Sequence, residues 1–143
     1  MAIAIISSVE TKFWYEPVRA ASEAIAALTE AVYELKDEVD NIHSECLAGI
    51  ASNMAKNELL SDKTLKEGMV EGSVAGIAFE LHTLIVAALN YPVEVLEIKR
   101  RTLLLQALRI TDALGNILLS GKDGPKHVPA LLELINGREV ANV

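Results

Sequence analysis

From residue 21 the apolar positions fall at alternating steps of four and three: Ala21, Ile25, Leu28, Val32, Leu35, Val39, Ile42 and Cys46. That is the a/d repeat of a helix burying one continuous seam, held over more than three heptads. No proline interrupts it. Glu16-Pro17 marks its start, since proline at a first helical position loses only an N–H that has no partner there. The pattern shifts to Ile50 and Met54 and ends near Asn57 to Leu60. The spacing predicts one helix about 60 Å long, at ~1.5 Å per residue, with Gly49 as a place to bend.

A second seam follows on Val70, Val74, Ile77, Leu81, Leu84 and Ala88, with Ser61 or Asp62 as N-cap and Asn90-Tyr91-Pro92 as terminator. A third helix is predicted over 93–120. Leu96, Leu103, Ala107, Ile110, Leu114 and Ile117 form its stripe, widened by Leu104, Leu108 and Leu118, with Arg100 at a seam position. Gly121-Lys-Asp-Gly-Pro reads as a loop, and a short last helix runs from about Pro129 to Asn136, with Gly137 past its end. Residues 1–15 form an N-terminal arm in which Ala2–Ile6 suits a short strand. The expected fold is all-α: one domain over 1–143, an antiparallel bundle of three long helices and a short C-terminal one.

Composition agrees. Apolar residues make up 51% of the 143 and are mostly Ala, Leu, Ile and Val, the content of packed helices. The formal net charge of −7 lacks the basic face that releases counterions from nucleic acid, and it disfavours anionic membranes. Val74–Leu89, the most apolar window, is interrupted by Glu80 and His82 and reads as a buried helix, not a membrane span. Cys46 is the only cysteine, so no disulfide forms within the chain. Met1–Ile6 lacks a basic n-region and a cleavage site, and a cytoplasmic setting is expected.

Candidate chemistry is sparse. Glu30, Glu34, Asp37, Glu38, Asp40 and Glu45 form an acidic run on the first helix. Helical carboxylates bind Mg²⁺ in all-α nucleotide pyrophosphohydrolases, but they must converge on the ion. The heptad register turns Glu30, Glu34, Asp37 and Asp40 outward and leaves Glu38 and Glu45 flanking the seam, as on a solvated face. Asp40-x-x-His43 resembles half of a di-iron motif, but Glu80-x-His82 has the wrong spacing to complete it. Cys46 is expected in the core. Neither a Gly-x-Ser-x-Gly elbow nor a Gly-rich phosphate loop occurs. No cofactor or metal is expected.

Three features ask for a structural explanation. Gly68, Gly72 and Gly76 stand four apart on one side of the second helix, continued by Phe79. Each glycine costs about 1 kcal/mol against alanine in a helix, and close approach by another helix is the usual use of such a stripe. That helix belongs either to the same chain or to another subunit. Glu80 and Arg100 are both charges in apolar surroundings and are expected to pair, because a lone buried charge is costly. Phe13-Trp14-Tyr15 brings three of six aromatic residues together, either to cap the bundle or to dock on a partner.

These features lead to an expected non-enzymatic interaction protein. It self-associates, as a homodimer or higher homo-oligomer, and binds a protein partner through Phe13, Trp14, Tyr15, Gly68, Gly72, Gly76 and Phe79. One alternative is a Mg²⁺-dependent pyrophosphohydrolase-like enzyme using Glu34, Glu38 and Glu45. Another is an apolar-ligand binder with a cavity near Glu80 and His82.

Overall fold

The stretch expected as one long helix is two helices lying side by side. In a computed structural model, which describes residues 13–34, 42–59, 71–90 and 98–141, α1 spans Tyr15–Glu34 and α2 spans Ile42–Met54. A π-helical turn, Ala55–Leu59, prolongs α2. Helix α3 spans Glu71–Asn90 and α4 Ile98–Leu119. A 3₁₀ segment, Gly121–His127, leads into α5, Val128–Ala141. The described residues are all-α, with no strand among them, and the five helices pack together. Ala2–Ile6 lies outside the described residues.

The heptad spacing was right about the face of α1 and wrong about continuity. Ala21, Ile25, Leu28 and Val32 are buried as the seam requires. Their partners come from the same chain, with α2, α4 and α5 all packed on α1. This is why α1 buries half of its length, including Ala24, Ala26 and Thr29. On α2 the buried line is Ser44, Ala48, Ala51 and Ala55, ending at Leu59, and Cys46 is exposed. The reason is close packing. Small residues let the α1 and α2 backbones approach, and Ser52 Oγ donates to Ala26 O at 3.2 Å while Ser22 Oγ donates to Ala55 O. Those two bonds run in opposite chain order, so the helices are antiparallel. Gly49 serves the same approach. A Cβ there would stand 2.8 Å from Cδ2 of Tyr33, whose ring lies over it.

Three more contacts close the ring. Ser44 Oγ donates to Ala88 O at 2.8 Å between α2 and α3, His82 Nε2 donates to Asp112 Oδ1 at 2.8 Å between α3 and α4, and Arg100 reaches Val32 at the end of α1. Each helix runs antiparallel to the next, giving a four-helix bundle. Its core holds Ile25, Leu81, Ile85, Leu104, Ile110 and Leu114 at full burial. Each contributes about 1.5–3 kcal/mol by leaving water. Helix α4 is long and apolar enough to cross a bilayer, but its buried stripe, Arg100 included, packs within the bundle.

The aromatic cluster belongs to this core and not to a free arm. Trp14 is 2% exposed, and its carbonyl accepts from Val18 N as α1 begins. Phe13 covers Gly124 so closely that a Cβ at Gly124 would stand 2.6 Å from Phe13 Cζ and from Ile117 O. The expectation that Trp14 anchors a partner is therefore corrected. Its ring is part of the same buried cluster as Ile117 and Leu118.

Candidate interaction surface

Helix α3 divides into two faces. Val74, Ala75, Ala78, Leu81, Ile85 and Ala88 are buried, while Gly76, Phe79, Glu80 and Thr83 are exposed. Gly68 lies outside the described residues and Gly72 is helical. At Gly76 an added Cβ would meet nothing within 4 Å. Packing among the described residues therefore does not explain that glycine. Phe79 is 72% exposed one turn further on.

Helix α4 continues this face. Leu119 is 77% exposed, and a Cβ at Gly115 would also meet nothing within 4 Å. Because α3 and α4 are antiparallel, Ala75 and Leu119 mark one end of a shallow groove and His82 and Asp112 the other. Its volume is about 270 Å³, and Phe79 and Gly115 line its middle. A large exposed aromatic beside an exposed leucine, over a floor of small residues, fits an apolar segment better than a polar ligand. Leu119 and Gly115 were not singled out in the sequence. The only signal was that Leu119 falls off the α4 stripe that ends on Leu118.

The buried charge pair has a different partner from the one expected. Arg100 is 0% exposed, and its Nη2 donates to Glu45 Oε1 at 3.2 Å while Nη1 donates to Val32 O at 3.5 Å. Glu80 is exposed on α3. The topology explains the correction. Arg100 sits at the end of the bundle where α1 ends and α2 begins, level with Ala88 of α3. Glu80 lies eight residues further down that helix, about 12 Å away at ~1.5 Å per residue, and faces solvent. Arg100 with Glu45 ties three helices at one level, which makes it a structural pair and not a ligand site.

Among the described residues, the carboxylates proposed for Mg²⁺ do not come together. Glu45 is bound to Arg100, Glu34 is exposed at the end of α1, and Glu38 lies outside the described residues. Among the described residues no three His, Cys, Asp or Glu side chains stand together as a metal site would need. A wider groove of about 570 Å³ lies between α1 and α2, lined by Tyr33, Cys46, Gly49 and Ile50 and crossed by a Lys56–Glu30 ion pair of 3.1 Å. Both members of that pair are half-exposed, so it adds little to stability. Comparison with protein-family models, curated proteins and solved structures finds no match to this chain.

Proposed function

We propose that the chain is a non-enzymatic interaction protein of a cytoplasmic setting, which self-associates and binds protein partners through the α3–α4 face. The supporting observation is the exposure of Phe79 and Leu119 on one groove, with open space above Gly115 within it and above Gly76 one turn before Phe79. Aromatic anchors seated among small residues are where interfaces concentrate their binding energy. In a dimer the same face serves both copies, as two-fold association requires.

Gly76 makes the test clean. The space above it is open, so Gly76→Leu leaves the monomer's packing intact and gains helix propensity. The variant should stay folded by circular dichroism and show a weaker association constant by light scattering. Phe79→Glu should weaken association by tenfold or more, corresponding to at least ~1.4 kcal/mol. A folded Gly76→Leu chain with unchanged mass across a dilution series would sink the proposal.

A further inference from the structure

The groove between α1 and α2 lies across the ring of helices from the α3–α4 face. Its volume, about 570 Å³, is that of a small-molecule site. Three features set it apart from a plain furrow between two helices. The first is Tyr33. This side chain is 56% exposed, and its ring lies across Gly49, where a Cβ would stand 2.8 Å from Cδ2. A helix disfavours glycine against alanine, and here the missing methyl is the room that the ring takes. The second is the α2 wall. Lys56 stands on the π-helical turn, an irregularity found most often at functional positions, and reaches Glu30 Oε2 at 3.1 Å. The third is polarity. Because α1 and α2 are antiparallel, Tyr33, Gly49 and the exposed Ile50 mark an apolar end, and Glu30 and Lys56 place opposite charges side by side at the other.

We infer that this groove binds an aromatic α-amino acid. Its ring packs on Tyr33 beside Ile50, its carboxylate accepts from Lys56, and its ammonium donates to Glu30. A ligand with one charge would pair with one of these side chains and take it from the other. An α-amino acid carries both charges on one carbon, close enough together to face a pair 3.1 Å apart. Opening the Lys56–Glu30 pair costs little, since both members are half-exposed. The ligand is neutral overall, so the net charge of −7 does not repel it.

This inference goes beyond the association reading, which concerns the opposite face, and stands or falls without it.

The test is calorimetric titration of the full chain with L-phenylalanine. The expected result is one saturable site with a Kd of about 1 mM or below. Phenethylamine and phenylpropionate, which each keep only one of the two charges, should bind at least ~tenfold more weakly. Gly49→Ala is the sharpest variant. Its new methyl meets only the Tyr33 ring, the far end of an exposed side chain, so the helices keep their packing while the ring is pushed aside. Helicity should be unchanged and binding should fall at least ~tenfold. Lys56→Met, at an exposed position, should weaken binding as much while leaving the apolar end intact. Absence of saturable binding, equal binding of either singly charged analogue, or full binding by a helical Gly49→Ala or Lys56→Met chain would overturn the inference.

Discussion

Arg100 shows how far single residues can be read. Its place on an apolar stripe marks it as a buried cation that needs a carboxylate, and it is fully buried and paired. The identity of the partner was not legible. Glu45 sits beside the seam in a continuous heptad, and only the break between α1 and α2 brings it to the level of Arg100. Removing the carboxylate strands a charge, so Glu45→Ala should cost about 3–5 kcal/mol in a urea melt. Replacing both partners by Leu and Met of similar bulk should recover most of that loss. Glycines divide in the same way. Gly76→Ala meets open space and should raise stability by about 1 kcal/mol, near 3–4 °C in Tm for a domain of this size. Gly124→Ala would press on the backbone oxygen of Ile117 at 2.6 Å, which cannot move aside, and should lower Tm.

At the scale of elements, periodicity identified helices and their inward faces but not where they stop. Ala21, Ile25, Leu28 and Val32 follow the seam because large apolar side chains dominate α1. The continuation on Ile42, Cys46 and Ile50 keeps the spacing, but α2 turns a different side inward. Alanines and serines at 44, 48, 51, 52 and 55 allow a closer helix approach, and the serine hydroxyls find carbonyls across the contact. A hydrophobic pattern ranks leucine above alanine and has no term for that approach. The consequence is measurable at Cys46. Its thiol should react with a maleimide in the native protein at a rate within about tenfold of the unfolded chain, since reaction needs no opening of the core. Protection of many orders of magnitude would restore the seam assignment. The same limit hid Leu119, which differs from buried Leu118 only by one step of rotation about α4.

At the scale of the molecule, the ring of four helices fills the seam of α1 from within the chain, so the proposed association uses an outer face. The α3–α4 groove is apolar, while the whole chain carries a net charge of −7. In the proposed self-association, two copies repel at long range through this charge and meet through apolar burial. Added salt screens the repulsion, with a Debye length falling from ~10 Å at 0.1 M to ~3 Å at 1 M, and leaves apolar burial in place. Dimerisation measured by sedimentation should thus hold or strengthen as salt rises. A steep weakening would point to ion pairs at the interface instead.

The packing at the Trp14 end also sets a clock. Phe13 lies against Gly124, which is made roughly 110 residues after it. A ribosome adding about 5–20 residues per second needs roughly 5–20 s to cover the roughly 110 residues between them. For that interval the aromatic cluster and the α4-facing side of α1 have no cover from their final neighbours. The bundle can close only once α4 has been made, and the nascent chain is most exposed to wrong partners, and to chaperones, before α4 emerges.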